Sequence, residues 1–331
     1  MKLAMIGSYG HCNYVLDSVA IPERLEVVAV ARYGGDDELP YHGRHAAVPA
    51  STPVYDDYVR MLDEAAPDVV GVFLPLYRNA AASMAAARRG VHVFSEKPLA
   101  TTLQDLDELR GAVAEGGVRL AAAFGTRATG PYQAVREIVA GGGIGEPILA
   151  SAQKSYPFGR RDKYYRTRGT YGGTIPWTAI HALECVSYCT GKDYVRVAAM
   201  HSNESLADYP GTEDNGGILL ELTGGGHAVI WFDYLRPKAE GIQRRHGDDR
   251  LRIAGTGGIV EVVAEGTQVR LTTPTDVEDV SCPPDRDLFG EFIDAIEARG
   301  EGLVSTAESF RITEVALKAR QAADTGTIIE L

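Results

Sequence analysis

Two residues in this sequence are best suited to move a proton: a lysine closing a short apolar run, and a histidine in a later helix-forming stretch. The lysine ends Val91-His92-Val93-Phe94-Ser95-Glu96-Lys97 and is followed by Pro98. Val91, Val93 and Phe94 read as a buried strand, and Pro98, which has no backbone N–H, stops the ladder at Lys97. In an open α/β sheet, ligands occupy the crevice outside the strands' carboxyl ends, where an ammonium meets a substrate hydroxyl or carbonyl. Glu96 can orient the lysine or a neighbouring backbone group. A solvated Glu-Lys pair in a strand-to-helix loop is the other reading of the same residues. His181 falls in a helix-forming stretch, 175–189, with Trp177 four positions earlier, so on an α-helix the two share a face. A histidine titrating near neutral pH can take a hydroxyl proton; packing within its own helix is the alternative.

Other stretches suit a ligand rather than a proton. After the apolar run 2–6 comes Gly7-Ser8-Tyr9-Gly10-His11-Cys12. That is where a dinucleotide fingerprint G-x-G-x-x-G would stand. Gly7 matches it, Tyr9 and Cys12 occupy the other two glycine positions, and Gly10 is displaced by one, leaving a degenerate phosphate loop. The run 25–31 ends in Arg32, where an arginine accommodates the 2′-phosphate of NADP and an acidic residue would grip the ribose of NAD. An exposed loop arginine is the alternative reading. The run 69–74 is closed by Pro75 and followed by a second phosphate-side loop, 76–79. Candidate cofactor contacts are therefore Gly7, Ser8, Tyr9, Gly10, His11, Arg32, Pro75, Glu96 and Lys97, with NADP or NAD as the cofactor.

Residues 156–168 are basic and aromatic in an acidic chain, with Arg161, Tyr164 and Tyr165 among them. Arginine forks suit carboxylate or phosphate groups and tyrosines suit sugar faces; a solvated loop or a subunit contact would use the same residues. His181, Cys185 and Cys189 recur every four residues, a spacing that metal ligands can have, but small thiols on an apolar helix face are expected in the core. No metal site is expected.

The elements that must carry these residues follow from periodicity. Apolar runs at 2–6, 25–31, 69–74, 91–94 and 120–124 alternate with helical stretches at 13–20, 57–65, 80–89 and 103–115, the last with Thr101 and Gln104 as a capping box. Such alternation predicts a parallel sheet covered on both faces. Residues 33–53, rich in Gly, Pro, Asp and His, read as an irregular excursion. Beyond 125 a helix at 132–140 precedes alternating strands from 148 onward, at 195–202, 217–222, 228–234, 250–254, 259–263 and 268–271. Helices at 287–298 and 306–324 close the chain, the second capped by Ser305 and Glu308. The expectation is α/β: a Rossmann domain over 1–124, and over 125–331 an α+β domain with a large, mostly antiparallel open-faced sheet.

With 331 residues there is room for two cores. A net charge of −12 argues against a nucleic-acid or anionic-membrane binder, and no apolar run is long enough to span a bilayer. Met1 leads into a first strand rather than a signal peptide, and four cysteines without CxxC pairing suit a reducing cytoplasm.

With both halves in view the chain resembles the glucose-fructose oxidoreductase and inositol dehydrogenase family, Gfo/Idh/MocA. The resemblance is carried by Glu96-Lys97-Pro98, Arg127 with Pro131, Gly143-Ile144-Gly145-Glu146, Glu213-Asp214 and Gly255-Thr256-Gly257-Gly258. It implies an NAD(P)-dependent oxidoreductase acting on CH–OH groups of a sugar, polyol or related cyclic alcohol, with Lys97 and His181 as its catalytic residues. It also implies a homodimer or homotetramer built on the open sheet. The family pattern has an aspartate four residues before the histidine; here that position is Trp177, which neither ionises nor accepts a proton and instead suits stacking on a sugar or nicotinamide ring. Trp177, Tyr164, Tyr165 and Arg161 are the candidate substrate contacts. Two other readings stay open: a lyase or glycosidase that retains its NAD(H) and oxidises its substrate only transiently, and a cofactor-binding sensor without turnover.

Overall fold

A parallel strand buried on both faces needs nearly continuous apolar sequence, and Val69–Phe73 is buried at all of its positions. It lies near the middle of a six-stranded sheet in the computed structural model, which describes residues 1–34, 38–238 and 247–331. The chain divides into two units, Met1–Gly125 with Asp287–Thr313, and Thr126–Arg286 with Glu314–Leu331.

The first unit begins with β1 (Lys2–Gly7), β2 (Glu26–Ala31), β3 (Val54–Tyr55), β4 (Val69–Phe73), β5 (His92–Ser95) and β6 (Leu120–Ala122). They pair in the order β3-β2-β1-β4-β5-β6, all parallel. The order reverses direction between β1 and β4, the switch point beside which ligands bind in such sheets. Between and after these strands run helices α1 (Asn13–Leu16), α2 (Ala20–Glu23), α3 (Tyr58–Ala65), α4 (Asn79–Ala87) and α5 (Leu103–Gly116), with α3 and α4 packed on the sheet and α5 on α4.

Two local expectations are corrected. The helix expected over 13–20 stops at Leu16, and the next turn, α2, is broken at Ile21 (φ −106°, ψ 126°), the extended conformation favoured before a proline. The cap of α5 is Thr102, whose side chain accepts from Asp105 N–H, rather than Thr101 with Gln104; Gln104 turns outward to Glu108. Of the excursion expected over 33–53, residues 35–37 lie outside the described residues. The described part turns repeatedly and buries Leu39, Tyr41 and Val48.

The second unit opens with α6 (Gly130–Ala140), then β7 (Pro147–Ser155), α7 (Arg168–Tyr171), a π-helical segment at Ile175–Ala179 and α8 (Ile180–Thr190). Its strands continue as β8 (Tyr194–Ser202), β9 (Asn215–Leu222), β10 (His227–Asp233), β11 (Asp248–Gly255), β12 (Ile259–Val263), β13 (Gln268–Thr272) and β14 (Val277–Val280), with β15 (Ile329–Glu330) near the chain's end. The nine pair in the order β14-β13-β12-β11-β7-β10-β9-β8-β15. Among the described residues only β7 and β10 run parallel in this sheet. Helices α6 and α8 cover one face of this sheet; the other exposes Leu149, Met200, Leu219 and Trp231.

The chain returns to the first unit with α9 (Leu288–Ile296), whose Phe289 and Phe292 pack on Phe94 of β5 with ring centroids 5.3 and 5.8 Å away. It ends through α10 (Thr306–Thr325), where the expected box holds: Glu308 N–H donates to Ser305 Oγ at 3.2 Å and Ser305 N–H to Glu308 Oε2 at 3.0 Å. Among the described residues no helix is long and apolar enough to cross a membrane.

Candidate functional site

In the first unit the loops after β1, β2, β4 and β5 all leave the carboxyl edge of one parallel sheet. Gly7 turns the chain at φ +74°, and a Cβ there would collide with the carbonyl of Phe73, so this position requires glycine. Tyr9 N–H donates to that same carbonyl at 2.8 Å. Tyr41, which sequence reading passed over, reaches back from the excursion to donate its hydroxyl to the Gly7 carbonyl at 2.8 Å.

Gly10 also has a positive φ, +67°, and its missing Cβ is what lets the Glu96 carboxylate lie against the loop. Glu96 is wholly buried. It accepts from His11 N–H at 2.6 Å, from the His11 ring Nδ1 at 3.0 Å to both oxygens, and from Lys97 N–H at 3.0 Å. Burial pushes the carboxyl up, but His11 and the Lys97 ammonium outweigh it and hold Glu96 below its ordinary value. The acid beside the lysine is therefore bound as a carboxylate, and it ties the degenerate glycine loop to the lysine-bearing strand end. Lys97 is fully buried and precedes a cis peptide to Pro98.

Pro75 follows the end of β4, where Leu74 N–H donates to Asn79 Oδ1 at 3.0 Å. Ser8 is half-buried in the first loop. Arg32 stands just past β2, donates its backbone N–H to Tyr55, and pairs its exposed guanidinium with Asp56 at 3.2 Å. Next to it Tyr33 and Tyr77 share a hydroxyl hydrogen bond of 2.7 Å, and the Arg78 guanidinium lies 4.4 Å from the Tyr33 ring centre. Burial, with Tyr77 adding to it, pushes the Tyr33 phenol up to about 12. Only the loop 76–79, not this cluster, was legible beforehand.

In the second unit Trp177 sits in the π-helical segment and His181 in the first turn of α8; both are buried. A π turn holds more residues than an α turn, so the shared face expected from a four-residue spacing does not carry over unchanged. The segment is held at both ends. Ahead of it Gly172 (φ +84°) and Gly173 (φ +106°) need glycine, and Thr174 N–H donates to Glu213 Oε2 at 2.8 Å. Glu213 is in turn paired with Arg168.

A chain of buried hydroxyls runs alongside. Thr174 donates to the Glu213 carbonyl (2.6 Å), Tyr171 to Thr174 (3.2 Å), and Thr178 to Tyr234 (2.8 Å). Each hydroxyl has one proton, so Tyr234 must donate to Tyr171 (2.8 Å) and Tyr156 to Thr178 (3.2 Å). The two threonines that bracket Trp177 are thereby fixed.

Tyr165 is wholly buried, 4.5 Å from the Tyr171 ring, while Tyr164 is half-buried at 4.7 Å from Tyr165. The Arg161 guanidinium stacks within 5.5 to 5.7 Å of Tyr165, Tyr234 and Phe158. Tyr165 is thus part of the wall behind Tyr164 and Arg161. Cys185 and Cys189 are buried in α8, where burial drives both thiols up, as core thiols behave. Among the described residues no three His, Cys, Asp or Glu side chains come together as a metal-binding group.

Two family patterns match the chain. One described as an oxidoreductase family with an NAD-binding Rossmann fold matches residues 1–124, and one described as the GFO/IDH/MocA C-terminal domain matches 132–261. Among curated proteins it is 30% identical over 210 residues to an uncharacterised oxidoreductase of Bacillus subtilis, covering 62% of this chain and 58% of that one. It is 24% identical over 233 residues to an inositol 2-dehydrogenase of Serratia proteamaculans, covering 70% and 64%. These matches span less than two thirds of either relative. A solved structure described as a putative oxidoreductase from Thermotoga maritima is 33% identical, with all of both chains covered and a TM-score of 0.92.

Proposed function

Because the chain belongs to the Gfo/Idh/MocA family of oxidoreductases, with an NAD-binding Rossmann domain, we propose that it moves a hydride between the CH–OH carbon of a sugar, polyol or related cyclic alcohol and a nicotinamide cofactor. The observation that carries this reading is Glu96, whose carboxylate joins the Gly10–His11 turn to the backbone of Lys97 at one sheet edge. Gly7, Ser8, Tyr9, Gly10, His11, Pro75 and Glu96 line that edge and are the residues that would hold the dinucleotide. When bound, the nicotinamide ring supplies the hydride acceptor or donor.

The protein's own groups do the rest. The Lys97 ammonium hydrogen-bonds the substrate oxygen and stabilises the charge that develops there. His181 takes the hydroxyl proton in the direction of oxidation and returns it in reduction. Trp177, Tyr164 and Arg161 contact the substrate, backed by Tyr165. Arg32 favours NADP: an exposed pair such as Arg32–Asp56 contributes about 0–1 kcal/mol, so a 2′-phosphate competes well for the guanidinium.

Residence in the cytoplasm accords with four free cysteines. A homodimer or homotetramer accords with the apolar open face of the second unit's sheet, where Met200 is 81% and Leu219 51% exposed.

The test is fluorescence titration of nucleotide-free protein with NADPH and NADH, in the wild type and in Arg32→Ala. Binding of both, with NADPH weakened by about tenfold or more in the variant, is expected from loss of a charge-assisted contact. If neither nucleotide binds the wild type, the reading fails.

A further inference from the structure

The inner face of the second sheet carries a charged pair that the roles above leave unused. Lys154 on β7 and Asp249 on β11 are directly opposed, with Nζ 2.5 Å from Oδ2. Along the same face their strand neighbours Ala150, Ala152, Leu251 and Ile253 are apolar and at most 2% exposed. The two side chains are part-buried, 12% and 23% exposed, and an ion pair set in an apolar row contributes little net stability, because desolvation offsets much of the attraction. The pair is also incomplete: Asp249 Oδ1 is shielded from solvent and has no hydrogen-bond partner among the described residues. A carboxylate oxygen shielded in that way is costly to leave without a partner.

The same two side chains line a small cavity together with His181. The titratable groups lining it with His181 are Tyr132 from α6, Lys154 from β7, Asp249 from β11 and Cys185 from its own helix; Arg250 also borders it, but it is opposed to Gln153 in the sheet and sends its side chain to the other face. Arg250 is engaged by Asp248 through two bonds of 2.9 Å, and the burial-raised Tyr132 and Cys185 stay neutral. Asp249 is thus the anion lining the cavity.

We infer that Asp249 is the positioning carboxylate for His181, acting in place of the aspartate that Trp177 has displaced from the family pattern, with Lys154 holding it. The inference rests on the oxidoreductase reading for its purpose. As the substrate carbon is oxidised to a carbonyl, the C–H electron pair passes with its hydrogen to the nicotinamide, which is reduced, and the hydroxyl proton goes to His181. The imidazolium so formed is stabilised by the Asp249 charge, and Lys154 moderates that charge.

The test needs neither substrate nor turnover. The His181 resonances of the full-length, isotope-labelled protein, assigned by their loss in His181→Gln, are followed by NMR across pH in the wild type, Asp249→Asn and Lys154→Met. The His181 titration midpoint should fall by about one pH unit or more in Asp249→Asn and rise in Lys154→Met, since an opposite charge nearby favours the imidazolium and a like charge opposes it. A pair that merely filled the core would lower the melting temperature in both variants and leave the midpoint where it is, which overturns the inference. Should Asp249→Asn not fold with Lys154 uncompensated, an unmoved midpoint in Lys154→Met overturns it equally. Nucleotide titration is independent of this readout, so the two readings fail separately.

Discussion

Glu96 holds His11 twice, by its backbone N–H at 2.6 Å and by its ring at 3.0 Å, across 85 positions of sequence. One buried carboxylate thereby fixes the turn after β1 relative to the end of β5, the two loops on which the proposed cofactor and lysine chemistry depends.

Glu96→Gln keeps the shape and removes the charge. Hydrogen bonds to a charged group are worth about 1.5–3 kcal/mol each, so urea unfolding at neutral pH should register a loss of at least that size. The pH dependence has a definite sign. Glu96 lies below its ordinary value in the folded chain, so its contribution is present above the unfolded glutamate range and is lost as pH falls through the lowered folded value. The stability gap between wild type and Glu96→Gln should be widest near neutral pH and close on acidification.

Arg127 and Glu184 form a second buried pair, with the Arg127 guanidinium 4.7 Å from the Tyr188 ring centre. Arg127→Met removes the cation paired with the buried Glu184 carboxylate and should cost about 3–5 kcal/mol in denaturant unfolding. Arg127→Met combined with Glu184→Leu should cost less than the single change, because the buried carboxylate is then removed along with its cation.

The two folds were readable because their physics is local. Buried parallel strands such as Val69–Phe73 must be apolar throughout, and half-exposed strands such as His227–Asp233 must alternate. What escaped was either polar or distant. β14 is exposed at three of its four residues and β15 has only two, so neither offers an apolar pattern. The π turn under Trp177 has the composition of an α-helix, and nothing in its spacing distinguishes it. Lys97, Glu96 and His181 stood out as residue types, but the bond from Glu96 to His11, the anchoring of Thr174 by Glu213 and the Lys154–Asp249 pair join positions far apart in sequence and exist only once the sheets form.

The open sheet face gives a prediction on assembly. Met200, Gly217, Trp231 and Gln153 stand in one cross-strand row, with Leu219 in the next. Leu219→Glu with Trp231→Glu should leave the monomer folded and convert the proposed oligomer to monomer in light scattering after size exclusion, because charges on a desolvated apolar contact are strongly unfavourable.

The central claim is hydride transfer assisted by Lys97, and its most direct measurement is the rate of NAD(P)H appearance against a panel of sugars, polyols and cyclic alcohols, in the wild type and in Lys97→Met. Net NAD(P)H formation with at least one of them, reduced by about a hundredfold or more in the variant while nucleotide still binds, is the predicted result. A substrate oxidised equally well by Lys97→Met, or bound nucleotide with no net NAD(P)H from any of the panel, would contradict it.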